Sequence, residues 1–225
     1  MDYTFLSNTL LFQGAAPEEI KNMLQCLQAE KKTFHKGEII CHAGDVTTSM
    51  GLILSGTVSI ESDDILGNKS IFDTAGPGQV FAETYASIPS EPMMVCVVAS
   101  EYTEVLFLNV HRILKVCPNS CVHHFKLVQN LLAISAQKNL NLSRRIFHTS
   151  SKSIRGRILS FLSFQALRQG CREFTIPFNR QQLADYLSVD RSALSNELSK
   201  MQKEGLLQVN RNHFILTNQI SDETF

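Results

Sequence analysis

Arg191, Ser192, Ser195, Asn196 and Ser199 recur at the spacing of one α-helical face. They offer a guanidinium, a carboxamide and three hydroxyls, not the Glu/Lys mixture of an ordinary solvated helix. Such a face suits the DNA major groove, where every base pair presents its own donor and acceptor pattern. A second set is Cys117, Cys121 and His124. If Pro118 opens a helix, these three fall at i, i+4 and i+7 on one side. Thiolates and imidazole so placed can hold a soft metal or an iron–sulfur cluster, or the thiols can exchange with a disulfide. His111 or a symmetry mate would supply a fourth ligand. The plainer alternatives are two amphipathic helices in an arbitrary helical domain and, for the second set, half-buried thiols with surface imidazoles. Enzyme chemistry finds no support, since G-x-S-x-G, a phosphate-cradling Gly-rich loop and HExxH are all absent from the sequence.

The elements that would position the first set can be read locally. Asn179 can cap a helix running from Arg180 to Leu187, and Ser188-Val189-Asp190 breaks it. Asp190 can cap a second helix, Arg191 to Glu204, which Gly205 stops. Leu183, Leu187, Leu194, Leu198 and Met201 give the two helices a shared apolar side, and Ala184 is small where they must approach. Ser188 stands where glycine is commoner in such a turn, at some strain if φ is positive. Leu206–Val209, Asn210-Arg211-Asn212 and His213–Leu216 then read as strand, turn, strand, a β-wing. Arg180, Gln181, Lys200, Lys203 and Arg211, with Asn179, are candidates for phosphate contacts that position without specifying.

Zero net charge over 225 residues conceals an asymmetry. Residues 1–149 carry 11 Lys/Arg against 14 Asp/Glu, whereas residues 150–225 carry 10 against 7. The basic excess therefore accompanies the reading head, as phosphate neutralisation requires. No run approaches a membrane span, the start lacks a signal-peptide pattern, and six scattered cysteines fit reduced thiols, so a soluble cytoplasmic protein without a membrane partner is expected. Cys41, Cys96 and Cys171 read as small core residues.

Upstream, residues 4–29 read as helical. From Lys31 to Leu108 short β-like runs punctuated by glycine predict a small barrel or sandwich. After His111 the period turns helical. Phe125, Val128, Leu132, Ser135, Asn139, Leu142 and Ile146 step by three and four, the seam of a dimerising helix with Asn139 able to fix register. The alternative is a long helix lying on its own barrel. Thr149-Ser150-Ser151 marks a hinge, and Ile154, Ile158, Phe161 and Leu162 begin a supporting helix. The fold class is thus α+β, with a β-roll or jelly-roll barrel over residues 1–110, a dimerisation helix over 111–148 and a winged helix-turn-helix over 149–225.

In that order the three parts resemble the CRP/FNR family of bacterial transcription regulators. The resemblance rests on Lys36-Gly37-Glu38-Ile39-Ile40, Ala43-Gly44-Asp45, Ile53–Val58 and Gly76–Glu83 in the barrel, and on Ile176-Pro177-Phe178 and Arg180–Gly205 beyond it. It implies a homodimer on double-stranded DNA with a two-fold-symmetric operator, and an effector in or near the barrel. It admits RNA polymerase as a partner, with no residue assigned to it. By alignment, Arg191, Ser192, Ser195 and Asn196 take the positions that touch base edges or nearby phosphates. Arg191 matches guanine O6/N7, and Asn196 matches adenine N6/N7. Relatives with well-known half-sites have Glu at the Ser192 position and Arg at the Asn196 position, so their operators do not carry over.

Cyclic-nucleotide members of the family carry Gly-Glu, then an Arg followed by Ser or Thr, the Arg pairing with the phosphate and the Glu with the ribose. Here Ala82 replaces the Gly, Glu83 is kept, and the Arg-Ser positions fall on Met93-Met94. No Lys or Arg occurs between Lys69 and Arg112. A buried phosphate would lack its charge-assisted partner, which disfavours cyclic AMP. Glu83, Thr84, Tyr85, Met93, Met94, Val95 and Leu142 are instead expected around a deformable apolar pocket, unless they are simply core. The N-terminal cysteine cluster of oxygen-sensing members is missing, with Cys26 alone there. A Cys/His metal- or redox-sensing regulator of the same fold, and a ligand-binding dimer that never touches DNA, remain the competing readings.

Overall fold

The computed structural model describes residues 1–63, 69–114 and 122–217. Its contacts divide into two compact units, Met1–Gln137 and Lys138–Phe225. The first unit opens with two short helices, α1 (Tyr3–Ser7) and α2 (Pro17–Cys26), in place of the single helical stretch expected over 4–29. Between them Gly14 takes a left-handed φ of 81° and the chain turns. Eight strands follow: β1 (Glu30–Phe34), β2 (Ile39–Cys41), β3 (Ser49–Ser55), β4 (Val58–Asp63), β5 (Lys69–Ala75), β6 (Val80–Phe81), β7 (Cys96–Ala99) and β8 (Thr103–Asn109). Helix α3 (Glu83–Ser87) stands between β6 and β7; α4 (Val110–Leu114) and α5 (Val122–Thr149) come after β8.

The strands form two antiparallel four-stranded sheets, ordered β1-β8-β3-β6 and β2-β7-β4-β5. Ile53, Phe81 and Val105 from one sheet meet Val58, Ala75 and Val97 from the other in a common core. β3 and β8 are apolar on both sides, because Met50, Leu52, Leu106 and Leu108 face the other way, onto the helices. Gly51 pairs with Phe81 across β3 and β6, and the Phe81 ring occupies the space that a Cβ on Gly51 would need. The barrel expected from the sequence is therefore this two-sheet roll, with the two-residue β6 at the edge of one sheet.

Helix α5 divides its apolar residues. Leu127 and Leu131 are 1% and 5% exposed and join the core beneath β3 and β8, with Val128 partly packed there too. Phe125, Leu132, Leu142 and Ile146 stay 61–69% exposed, Asn139 is exposed and Ser135 half-buried. Val128, placed on the dimer seam by its spacing, is thus shared with its own core. The start of α5 does lie on its own barrel, and a separate apolar stripe remains outside.

The second unit holds the end of α5, then α6 (Ile154–Gln169), β9 (Glu173–Thr175), α7 (Arg180–Leu187), α8 (Arg191–Lys203), β10 (Leu207–Asn210) and β11 (His213–Leu216). Its core joins Ile158, Phe161 and Leu162 of α6 to Leu183, Leu187, Leu194, Leu198 and Met201 of α7 and α8. The wing is a three-stranded sheet, β10-β11-β9, with Phe214 opposite Phe174. Strand β9 was not foreseen. Among the described residues no helix is long and apolar enough to cross a membrane.

Candidate nucleic-acid interface

The two helices of the reading head begin where their caps dictate. The Asn179 side chain accepts from Gln182 N at 2.9 Å, while Gln182 Oε1 accepts from Asn179 N at 2.8 Å, a reciprocal capping box. Asp190 Oδ1 accepts from Ser192 N and Ala193 N at 2.8 and 3.0 Å. The hydrogen bond from the Ser192 hydroxyl, and then those two amides, hold its carboxyl below the usual range, so it stays ionised against the helix N-terminus. Ser188 takes the left-handed conformation the turn demands, φ 53° and ψ 52°. Gly205, at φ 75°, ends α8.

With Leu194, Leu198 and Met201 buried, α8 turns Arg191, Ser192, Asn196 and Ser199 to solvent, with Ser195 half-buried. The three serines donate inward: Ser192 Oγ to Asp190 Oδ1, Ser195 Oγ to Arg191 O and Ser199 Oγ to Ser195 O. Their outward lone pairs therefore act as acceptors, beside one guanidinium and one carboxamide. Lys200 and Lys203 are exposed in the last turn of α8, as is Arg211 at the wing turn. Gln181 is exposed and donates to Asp185. Arg180 differs from the expected free phosphate ligand, since it is half-buried and donates to Arg211 O at 3.3 Å, tying α7 to the wing.

Three arginines missed by sequence reading bind these helices from α5 and α6. Arg155 on α6 holds Glu197 and Glu204 of α8. Arg157, also on α6, donates to Leu187 O and Ser188 O. Arg145 on α5 donates to Asp185 O and Tyr186 O. Nothing local in the sequence distinguishes them from phosphate-binding cations; only their partners in the fold do.

Residues 31–120 match the cyclic nucleotide-binding domain family, and residues 156–219 match the Crp-like helix-turn-helix domain family. The chain belongs to the CRP/FNR family of transcription regulators. It is 26% identical over 200 residues to the Cyclic AMP receptor protein of Thermus thermophilus, covering 88% of each chain. It is 26% identical over 201 residues to Electron transport regulator A of Shewanella oneidensis, covering 84% of this chain and 75% of that one. The crystal structure of the Thermus thermophilus Catabolite Activator Protein shares the fold, with a TM-score of 0.51, 24% identity and coverage of 93% and 94%. Regulators of this family bind DNA and act as dimers.

In this CRP/FNR regulator the residues expected around the effector are spread over different surroundings. Glu83 opens α3 and is 3% exposed, with Ala82 before it strained at φ 58°. Where a phosphate-binding cation would stand, Met93 and Met94 point in opposite directions, at 3% and 76% exposure. The expected pocket is thereby corrected. Asp45 O and Gly44 N pin the backbone of Met93 on both sides, which turns its side chain into the core between the sheets and the next one out to water. Tyr85 and Val95 are half-buried, Thr84 is exposed, and the Tyr85 hydroxyl accepts from Met94 N at 3.4 Å. Leu142 belongs to the other compact unit and is exposed there. Cys117 and Cys121 lie outside the described residues, and for His124 only the backbone, in α5, is described. Cys41 and Cys96 are half-buried, and Cys171, expected in the core, is exposed at the end of α6.

Proposed function

We propose that this regulator is an effector-responsive homodimer that reads a two-fold-symmetric operator through Arg191, Ser192, Ser195 and Asn196. Residues 1–110 form the effector domain, 111–148 the dimerisation helix and 149–225 the DNA-binding domain. The observation that carries the reading is the solvent-facing edge of α8: a guanidinium, a carboxamide and acceptor hydroxyls, with Leu194, Leu198 and Met201 turned inward. Arg191 reads a guanine, and the acceptor serines favour bases with exocyclic amino groups. Gln181, Lys200, Lys203 and Arg211 neutralise phosphates, and Arg180 braces the wing that carries Arg211.

Dimerisation runs along Phe125, Leu132, Leu142 and Ile146, with Val128, Ser135 and Asn139 at the margin. That stripe is too apolar to be left in water over so many turns. An effector other than cyclic AMP is favoured, because Met93 and Met94 take the positions at which cyclic-nucleotide members carry their phosphate-binding Arg and Ser. RNA polymerase is the partner such a dimer would meet at a promoter. The test is retention of sheared genomic DNA by the purified protein, followed by sequencing. Enrichment of fragments sharing an inverted repeat supports the reading. Uniform retention, or none, overturns it.

A further inference from the structure

The last carbonyls of a helix have no partner within it, and they form the negative end of its dipole. At the C-terminus of α7 four consecutive carbonyls are taken by two guanidiniums from two other helices. Arg145, in the last turns of α5, donates from Nη2 to Asp185 O at 3.0 Å and from Nε to Tyr186 O at 3.2 Å. Arg157, on α6, donates to Leu187 O at 3.1 Å and to Ser188 O at 2.8 Å. The Arg145 guanidinium also lies 6.0 Å from the centre of the Tyr186 ring. Only Ser188-Val189-Asp190 separate α7 from α8, so the pose of α7 fixes that of the recognition helix.

Around the same joint, His148 of α5 is 1% exposed and its Nδ1 lies 3.0 Å from Ser160 Oγ on α6. The Tyr186 ring packs against His148, Phe161 and Phe178. Through His148 one face of the end of α5 is thus buried against α6, and through Arg145 it is hydrogen-bonded to α7. We propose that Arg145 is a positioning residue, the link through which helix α5 sets the angle of the recognition helix on DNA. This rests on the reading of α5 as the dimerisation helix and α8 as the reading helix. Hydrogen bonds from one rigid planar fork to two adjacent carbonyls tolerate little rotation of α5, so a shift in the helix reaches α7 directly. Lysine, a single point donor on a flexible stem, would span the two carbonyls poorly.

The experiment uses the full-length protein with Arg145→Met and Arg145→Lys. Spin labels are placed at the exposed positions Ser143 of α5 and Gln202 of α8, introduced as a non-native amino acid so that the six native cysteines stay in place. With labelled protein diluted into a large excess of unlabelled protein, so that a labelled protomer pairs with an unlabelled one, wild type should give one narrow distance distribution, Arg145→Met a broad one, and Arg145→Lys an intermediate. Affinity for a retained genomic fragment should fall at least about tenfold in Arg145→Met and less in Arg145→Lys, with the dimer mass unchanged. The salt slope on random DNA should stay constant, whereas a direct phosphate contact would lower it by about one. A narrow distribution in Arg145→Met, or a reduced salt slope, overturns the proposal. Should Arg145→Met fail to fold, Arg145→Lys carries the same test. If wild type binds no DNA, the regulator reading fails, while the distance distributions, which need no DNA, still decide the link.

Discussion

The guanidinium of Arg155 forks onto Glu204, with Nη1 and Nη2 at 2.8 and 2.9 Å from the two carboxylate oxygens. Its Nε reaches Glu197 Oε1 at 2.6 Å, so one side chain of α6 holds two points of α8 a little under two turns apart. Arg155→Lys should lower DNA affinity, because a lysine cannot span both carboxylates, yet leave the melting temperature little changed at so exposed a pair. Hydrogen bonding to Arg155 holds the Glu204 carboxyl below its ordinary 4.5. The stability it contributes is therefore present above pH 4.5 and lost as pH falls through the depressed value. Thermal melts and DNA binding measured together check this; a fall in melting temperature without loss of DNA affinity would count against a positioning role.

His148 should make the second unit acid-sensitive. Burial, and then Arg144, hold the imidazole below its ordinary 6.5, and Nε2 is buried without a hydrogen-bond partner. The unfolded chain takes up the proton first, so stability falls as pH drops below about 6.5 and levels off below the folded value. His148→Phe should flatten that part of the profile. Melting temperatures from pH 7.5 to 5 would show it, and a slope unchanged by the substitution would refute it.

Leu131 and Leu132 are neighbours on α5 with opposite surroundings, one in the core and one in water. Leu131→Ala removes a core side chain and should destabilise the first unit by roughly 2–5 kcal/mol. Leu132→Ala, at a position 68% exposed, should leave the monomer fold intact and weaken the dimer. Sedimentation alongside denaturant titration separates the two effects.

On the recognition helix, Arg191→Ala should weaken operator binding by roughly 1–3 kcal/mol and relax preference at one base. Lys203→Ala should weaken every sequence alike and lower the salt slope by about one. Equal loss on random DNA for Arg191→Ala would remove it from base reading.

Ser188 stands at φ 53°, a conformation that L-residues resist. Ser188→Gly should stabilise the second unit by roughly 0.5–1 kcal/mol, since the relief of strain exceeds the entropy glycine loses. DNA affinity should be unaffected, because Arg157 binds the carbonyl and not the side chain. A lower melting temperature would show that the turn relaxes differently.

Local signals were legible in advance. Caps at Asn179 and Asp190, the stop at Gly205, the wing strands and the end of the long helix appear within a residue or a few of their expected places, because each depends on neighbours a turn away, whereas the helix expected from 111 begins as the separate α4, and α5 starts only at Val122. The two-sheet roll followed from spacing and turn residues, although the two-residue β6 left too short a pattern to be seen. Met93 and Met94 were indistinguishable as sequence, and only the bonds to Gly44 and Asp45 send one inward and the other out.

The sequence alone determined which helix presents Arg191 and Asn196, since helical periodicity and the apolar positions of α8 leave those residues no other face. What only the tertiary structure decided is the duty of each remaining cation. Arg145, Arg155, Arg157 and Arg180 carry the same charge as Lys203, yet they hold carbonyls and carboxylates of their own unit while Lys203 faces water. Charge is a property of the residue, but its partner is set by which helices pack together, and that packing joins positions 40 or more residues apart in the chain for Arg145 and Arg155.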